Sequence, residues 1–309
     1  MVEIYHIPAM LNETIDGLNI KPDGVYVDVT FGGGGHSRAI LDRMGAFENL
    51  RLKIEDLGHL YSFDQDADAL RNAIEDERWT FVHSNFRYLK NWMEYYGVKE
   101  IDGLLADLGV SFHHFDCPER GFSFRFSAPL DMRMNQTAKR TAADIVNGYS
   151  EEELAKIFYL YGELKNGRAI AKNICLTRSK NPILRTEDLV AASRIPADKS
   201  KELARLFQAL RIEVNDEMGA LREMLVAARD LLKPGGRIAI LTYHSLEDRL
   251  VKNFLRSGNL EGTIEKDFYG NNLSPFEVIE KGREASEEEV ERNPRARSAK
   301  LRVAIKKEK

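Results

Sequence analysis

Cysteine and long apolar runs are both scarce in this sequence. Its 309 residues include two cysteines, Cys117 and Cys175, and neither belongs to a Cys-x-x-Cys pair. A disulfide framework and a structural zinc site are therefore not expected. No apolar stretch is long enough to span a bilayer, and residues 1–10 lack the charged and apolar regions of a signal peptide. We expect a cytoplasmic protein that does not enter the membrane.

A general excess of positive charge is also lacking, since the formal net charge is −4. The charge is nevertheless unevenly distributed. Residues 111–211 contain 17 Lys and Arg against 12 Asp and Glu, and residues 165–211 contain 11 against 4. A locally basic segment on an acidic chain is a candidate phosphate-binding surface. Solvated helix faces would give the same balance, so charge alone does not decide between the two.

The third glycine of the dinucleotide fingerprint is missing as well. The stretch 25–38, VYVDVTFGGGGHSR, has valines at strand spacing, then four glycines and the start of a helical pattern. G-x-G-x-x-G would require glycine at position 37, where this chain has Ser37, so a dehydrogenase is disfavoured. The turn and helix start still offer main-chain N–H groups and a partial positive charge to a nucleotide or nucleoside. A tight turn without a ligand would have the same pattern.

Polar residues end four successive predicted strands. The strands cover residues 25–29, 60–63, 80–83 and 101–106, alternate with helices, and end at Asp28, Asp64, Asn85 and Asp107. This pattern predicts an α/β fold whose ligand lies at the carboxyl edge of a parallel sheet. Asp64, at the end of the second strand, is placed to accept hydrogen bonds from a ribose diol. Alternatively, Asp64 or Asp66 caps the helix that follows.

The alternation stops after Asp107, and we predict an inserted, mainly helical domain over residues 111–211. Its first part interleaves aromatic and basic side chains that could stack on bases and pair with phosphates, namely Arg120, Phe122, Phe124, Arg125, Phe126 and Arg133. Phenylalanines at period two are also typical of a half-buried strand, which is the favoured interpretation. A crowded group, His113, His114, Asp116 and Cys117, does not resemble the spaced pairs of a zinc site, and we expect no metal there.

The sheet pattern then returns. We predict a helix over residues 208–232 and a turn over 233–236, followed by strands at 237–242, 275–279 and 301–305. Tyr243 and His244 follow the fifth strand, at the carboxyl edge of the sheet. Ser245 and Asp248 have the spacing of a capping box for the next helix, so we interpret them as structural. His244 is then a candidate to face the ligand.

Several long blocks of this sequence resemble those of the bacterial 16S ribosomal RNA (cytosine-N4)-methyltransferase family, which uses S-adenosylmethionine. They run nearly from end to end: HIPAML, DVTFGGGGHS, FDQDADA, DGLLADLGVS, ERGFSF, PLDMRM, LFQALRIEVN, LKPGGR, YHSLEDR and NPRARS. The resemblance implies a class I, Rossmann-like methyltransferase core of residues 1–110 and 212–309, with residues 111–211 as an inserted helical domain that recognises RNA. The implied substrate is a cytidine of small-subunit RNA, the decoding-centre cytosine 1402.

The resemblance also implies the site, residue by residue. Cofactor contacts fall on Gly34, Gly35, His36, Asp64, Phe86 and Asp107, and on His114, where the family usually has glutamine. The family's FHSLEDR is YHSLEDR in this chain, a change that keeps the aromatic ring and adds a hydroxyl.

Methylation of a cytosine amine is aided by hydrogen-bond acceptors near the amino hydrogens, because the nitrogen lone pair is delocalised into the ring. The Pro-Pro motif that DNA amino-methyltransferases carry after strand four is absent, since Asp107 is followed by Leu-Gly-Val. We therefore nominate Asp107 and His244 as the catalytic groups nearest the amine. Small-subunit ribosomal RNA is the expected partner. Two other classes stay open on the sequence alone: a nicotinamide oxidoreductase and a non-catalytic RNA-binding assembly factor.

Overall fold

The computed structural model describes residues 8–45, 57–110 and 117–308. The chain divides into two compact units, a sheet unit of residues 1–109 and 219–309 and a helical unit of residues 110–218. The insertion expected from the sequence, residues 111–211, stops a few residues before the second boundary. In the described ranges, no helix is both long and apolar enough to cross a membrane.

Seven strands form the sheet. They are β1 Val25–Asp28, β2 His59–Asp64, β3 Trp79–His83, β4 Ile101–Asp107, β5 Leu232–Thr242, β6 Phe276–Glu284 and β7 Lys300–Lys306. Their order is β3-β2-β1-β4-β5-β7-β6; β1 to β5 pair in parallel, whereas β7 is antiparallel to β5 and β6. This confirms the predicted α/β, Rossmann-like fold. Parallel pairing brings the carboxyl ends of β1, β2, β4 and β5 to one edge of the sheet.

The helices of the described residues are, in chain order, α1 Leu11–Leu18, α2 Gly35–Gly45, α3 Leu89–Tyr95, α4 Ala142–Gly148, α5 Glu151–Leu160, α6 Gly167–Arg178, α7 Thr186–Ser193, α8 Ser200–Asn215, α9 Glu217–Leu231, α10 Ser245–Ser257 and α11 Glu287–Arg292. On the sheet unit, apolar faces of α1 and α2 pack with strand residues in one buried cluster that includes Ile15, Leu18, Ile40, Leu41, Leu60 and Leu105. Strands in the middle of such a sheet are buried on both faces, which explains the nearly continuous apolar sequence of β4.

The start of β5 differs from the prediction. Residues 233–236 were expected to form a turn before the strand, but β5 already begins at Leu232. Leu232 pairs with β4, the next pair is made by Arg237, and the residues between them are looped out of the ladder. Gly235 has a φ of 78°, which a glycine adopts at low cost. The predicted turn is therefore an interruption inside a longer strand.

Two helix predictions also need correction. The helix predicted over 208–232 is broken into α8 and α9, because Asp216 takes a left-handed φ of 47° between them. The segment after Asp66 forms a 3-10 helix, Ala67–Asn72, rather than an α-helix. Neither correction affects the predicted site residues at the carboxyl edge of the sheet.

The helical unit is organised by capped helices around its own core. Both α4 and α5 begin with a capping box, formed by Thr141 with Asp144 and by Ser150 with Glu153. The inward faces of α4 to α8 supply a continuous buried cluster that includes Ile145, Leu154, Phe158, Ile170, Ile174, Leu189, Leu206 and Leu210. A separate core of this kind is what an independent domain requires.

The phenylalanine segment is not a strand, so the favoured sequence interpretation was wrong. Phe122 is buried, and Phe124 packs against the core of the helical unit. Arg120 is buried as well, and its guanidinium donates to two backbone carbonyls. Phe126 is 50% exposed and its neighbour Arg125 is exposed. Most of this segment therefore serves packing, and these two side chains remain accessible.

Candidate active site

The glycine turn connects β1 to α2 through left-handed backbone. Gly32 has a φ of 50° and Gly34 a φ of 75°, values that other residues rarely adopt. A Cβ at Gly34 would lie 2.9 Å from the Phe31 ring, and one at Gly35 would lie 2.8 Å from Pro8. The first N–H groups of α2, which begins at Gly35, have no acceptor within their own helix. The turn therefore leaves backbone donors at the carboxyl edge of the sheet, where an anionic or polar ligand group can bind.

Asp64 ties the end of β2 to this turn. Its Oδ2 accepts from the Gly32 N–H at 2.8 Å, and its Oδ1 accepts from the Asp66 N–H at 2.8 Å. Each carboxylate oxygen keeps a further lone pair for a ligand. Burial raises the pKa of Asp64 to about 6, partly offset by these two backbone hydrogen bonds. Asp66, and not Asp64, caps the following helix by accepting from the Asp68 N–H, so the alternative role holds for the neighbour.

A buried hydrogen-bond network lies beneath the turn and is centred on Asp28. Asp28 Oδ2 accepts from the Ser37 hydroxyl at 2.6 Å, and the Ser37 and Ser62 hydroxyls are 2.8 Å apart. Asp28 Oδ1 accepts from the Thr30 N–H at 3.0 Å, and Thr30 Oγ1 accepts from the Asp107 N–H at 2.6 Å. Burial raises the pKa of Asp28. The network links β1, β2, β4 and α2, and it uses Ser37 where a dinucleotide fingerprint would have glycine.

Asp107, at the end of β4, has one oxygen held and one oxygen available. Its Oδ1 accepts from the Tyr243 hydroxyl at 2.6 Å. Its Oδ2 lies 3.7 Å from His36 Nδ1. Burial raises the pKa of Asp107 to about 7, the Tyr243 hydrogen bond lowers it, and the nearby Glu247 charge raises it. The carboxyl group therefore changes its charge near neutral pH.

His36 contacts Asp107 as a neutral ring. Burial lowers the pKa of His36, and its Nε2 lies 3.2 Å from the carbonyl oxygen of Ala9. A carbonyl only accepts, so the proton belongs on Nε2 and Nδ1 is unprotonated. The lone pair of Nδ1 then faces Asp107 Oδ2. His36 consequently does not donate to the ionised Asp107, whose Oδ2 is left for another donor.

His244 lies at the end of β5 and caps α10. Its Nδ1 accepts from the Glu247 N–H at 3.4 Å, while the Glu247 side chain accepts from the backbone N–H of Tyr243 at 3.1 Å. The His244 Nε2 is 3.0 Å from Glu247 Oε1 without hydrogen-bond geometry, and it is buried with no hydrogen bond to any described residue. One ring nitrogen is thus used for the helix and the other is not.

The capping box predicted from Ser245 and Asp248 is wrong by one residue. The box of α10 is formed by His244 and Glu247. Asp248 instead accepts from the Arg302 guanidinium at 2.8 and 3.0 Å, which joins α10 to β7. Asp248 is therefore structural, as predicted, but its partner is Arg302 and not the start of the helix.

The structure brings five of the sequence-predicted residues together around the turn, namely Gly34, Gly35, His36, Asp64 and Asp107. Phe86 follows β3 and is half-buried, and His244 follows β5. His114, like His113 and Asp116, lies outside the described residues. Sequence reasoning missed the roles of Thr30, Ser37 and Tyr243. The added hydroxyl at position 243 was the one available signal.

The MraW methylase family model matches residues 3–307. The chain belongs to this family. A ribosomal RNA small subunit methyltransferase H from Phocaeicola vulgatus is 57% identical over 99% of this chain and 98% of its own length. The protein of the same name from Parabacteroides distasonis is 58% identical over 98% of this chain and 97% of its own. Among solved structures, an rRNA methylase from Streptococcus thermophilus aligns with 98% of this chain and 99% of that chain, with a TM-score of 0.41 and 12% identity.

Membership of a methylase family makes this chain a methyltransferase and confirms the predicted cofactor, S-adenosylmethionine. It also disfavours both alternatives considered from the sequence, the nicotinamide oxidoreductase and the non-catalytic RNA-binding factor.

Proposed function

We propose that this chain methylates the N4 amine of a cytidine in small-subunit (16S) ribosomal RNA, the decoding-centre cytosine 1402. The relatives' name supports the class of RNA. The observation that carries the chemistry is the position of Asp107 at the carboxyl edge of the sheet, next to the glycine turn and Asp64. A proton acceptor and a nucleoside-binding turn then lie at the same edge.

The residues of the turn fit the cofactor. Left-handed Gly32 and Gly34 and the N-terminus of α2 offer backbone donors, and the free lone pairs of Asp64 suit the two ribose hydroxyls. Phe86 offers a ring for an adenine, and His114 is the further proposed contact. When bound, S-adenosylmethionine supplies a methyl group on a positively charged sulfur, so the protein chiefly holds donor and acceptor in line.

The acceptor side of the reaction is assigned to Asp107 and His244. A neutral amine that gains a methyl group must lose one proton, and Asp107 Oδ2 is the group we propose to accept it. Above about pH 7 the carboxylate is ionised and can do so. His244 is the second catalytic group proposed near the amine; because its Nδ1 accepts from the Glu247 N–H, its Nε2 carries the proton and would meet the base as a donor. An acceptor on an amino hydrogen, the role given to Asp107, helps to pyramidalise the nitrogen and to localise its lone pair.

RNA recognition is assigned to basic residues in the first turns of α6 and just before it, in the helical unit. Lys165, Arg168 and Lys172 are exposed, and none forms an ion pair with a described residue. Arg168 and Lys172 are one turn apart and lie on the same face of the helix. Unpaired cations on one face are suited to successive backbone phosphates. We expect replacement of all three by Gln to weaken RNA binding.

Salt dependence distinguishes phosphate contacts from solvated charges. Each lost contact should reduce the slope of log K against log salt by about one unit. The matched control replaces three exposed lysines of the sheet unit, Lys90, Lys99 and Lys252, by Gln. The α6 variant should flatten the slope and the control should not, with S-adenosylmethionine affinity unchanged in both. An unchanged slope in the α6 variant would place the RNA elsewhere.

The reaction itself is tested on small subunits and on free 16S RNA isolated from cells that lack the enzyme. Nucleosides from the digested product are identified by mass spectrometry against N4-methylcytidine and C5-methylcytidine standards. Calorimetry with S-adenosylmethionine and with NAD tests the cofactor independently. Methylation at another atom or base would reject the proposed N4 specificity but not the methyltransferase class.

A further inference from the structure

Tyr243 connects the fifth strand to the carboxyl group proposed to accept the proton. Its hydroxyl donates to Asp107 Oδ1 at 2.6 Å, and its backbone N–H donates to Glu247 Oε2 at 3.1 Å. Gly109 lies beside the ring, where a Cβ would be in ordinary van der Waals contact with Tyr243 Cδ2 at 3.5 Å. Burial raises the pKa of Tyr243 well above its usual value, so the hydroxyl keeps its proton and acts as a donor. Tyr243 is therefore held by hydrogen bonds at its hydroxyl and at its backbone N–H.

We propose that Tyr243 is a positioning residue whose hydroxyl holds Asp107 Oδ1, so that Oδ2 points to the target amine and accepts its proton. This inference rests on the proposed function. The amine nitrogen uses its lone pair to form the new bond to the methyl carbon, and the sulfur keeps the electron pair of the bond that breaks. One N–H proton passes to Oδ2, which leaves the methylated amine and the carboxyl group both neutral.

The other titratable groups around Asp107 cannot replace this hydroxyl. His36 presents an unprotonated Nδ1 at 3.7 Å, Glu247 adds negative charge, and Asp28 lies buried in the adjoining network. Glu247 opposes ionisation of Asp107, and His36 does not donate to it. A donor to the ionised carboxylate favours the charged form. Tyr243 is therefore the side-chain donor, within the described part of the chain, that stabilises the ionised Asp107.

Tyr243→Phe removes this donor and keeps the ring. We expect the acid limb of the single-turnover methylation profile to move to higher pH by about one to two units, the size of one hydrogen bond to a charged group. At pH 7 the rate should fall roughly tenfold, and by pH 9 it should return to within about twofold of wild type. S-adenosylmethionine affinity should change less than about twofold. Tyr95→Phe, at a tyrosine that is 75% exposed, is the matched control and should reproduce the wild-type profile.

A second readout needs neither cofactor nor RNA. The free energy of urea unfolding of the free protein, measured as a function of pH, reports the protonation of Asp107. The pH at the midpoint of this titration should be higher in Tyr243→Phe than in wild type. If Tyr243→Phe does not fold, the double variant with Asp107→Asn should restore folding, because no buried charge is left without its donor. That restoration would support the pairing.

The outcomes separate this inference from the proposed function. If wild type does not methylate the RNA, the proposed function fails, and the unfolding profile still tests the Tyr243 to Asp107 bond. If wild type methylates and Tyr243→Phe lowers the rate by the same factor at every pH, Tyr243 is merely structural and the inference is rejected. Superimposed profiles of wild type and variant would reject it as well.

Discussion

As the pH rises from about 4 to about 7, Asp107→Asn should become more stable to unfolding than the wild-type protein. Asp107 has an ordinary pKa of 3.8 when exposed and a pKa of about 7 in the fold, with burial as the main cause. The folded state therefore binds this proton more tightly than the unfolded chain does. By linkage, the contribution of Asp107 to stability is greatest where the group is protonated and is lost as the pH rises from about 4 to about 7. Asn cannot ionise and escapes this loss.

The expected magnitude follows from the pKa difference. One pH unit between the two pKa values is worth about 1.4 kcal/mol, so the difference in unfolding free energy should approach about 4 kcal/mol between pH 4 and pH 7. Asn keeps an oxygen that can accept from the Tyr243 hydroxyl, so the comparison chiefly removes the charge. Relative to wild type, Asp107→Asn should gain stability over this range and level off above it.

Urea unfolding followed by tryptophan fluorescence is a suitable assay. Both tryptophans, Trp79 and Trp92, lie in the sheet unit together with Asp107, so their emission follows the relevant transition. Glu75→Gln, at an exposed position of the same unit, is the control and should run parallel to wild type. If the profiles of Asp107→Asn and wild type are parallel from pH 5 to pH 8, Asp107 is not held in a buried, charge-disfavouring site, and the reasoning fails.

Three further variants test the site. Gly34→Ala, which forces a Cβ to within 2.9 Å of the Phe31 ring, should lower S-adenosylmethionine affinity at least about tenfold, whereas Gly97→Ala, with a φ of 72° and nothing within 4 Å, carries backbone strain alone and should not. Asp64→Ala should lose two ribose hydrogen bonds worth about 1.5–3 kcal/mol each, and a calorimetric S-adenosylmethionine affinity within twofold of wild type would reject the ribose contact. The S-adenosylmethionine affinity of wild type should itself fall as the pH drops through about 6, the pKa of Asp64. His244→Ala should lower the single-turnover rate about 10²-fold with little change in cofactor affinity, and it should cost about 1 kcal/mol of stability through the lost helix cap; a folded variant with near-normal rates would show that His244 is structural.

The strands and their polar ends could be predicted from the sequence. β2 was expected at residues 60–63 and spans His59–Asp64, and β4 ends at Asp107 as its apolar run indicates. Both strands can be predicted from their local sequence, because a buried parallel strand is a short apolar run followed by a polar residue. The order of such ends along the chain was sufficient to place Asp64 and Asp107 at one edge.

Interactions between distant residues could not be predicted in this way. Tyr243 and Asp107 are 136 positions apart, and only the fold shows that the hydroxyl meets the carboxylate. The raised pKa of Asp107 comes from burial, which sequence spacing does not report. Ser245 looked like the better cap by residue type, but the chain enters α10 one residue earlier and His244 takes that place. Asp216 ends α8 by its backbone conformation, without a glycine or proline to indicate it.

The separation of β4 from β5 along the chain has a consequence for biosynthesis. These neighbouring strands are joined through residues 110–218, which form a unit with a core of its own. While that unit is being translated, the apolar edge of β4 has no partner strand, and unpaired edges of this kind aggregate. Early folding of the helical unit shortens the loop that the late β4 to β5 pairing must close. A polypeptide that stops at residue 218 should consequently be captured by chaperones, and the nascent chain should become resistant to proteolysis only after β5 has emerged.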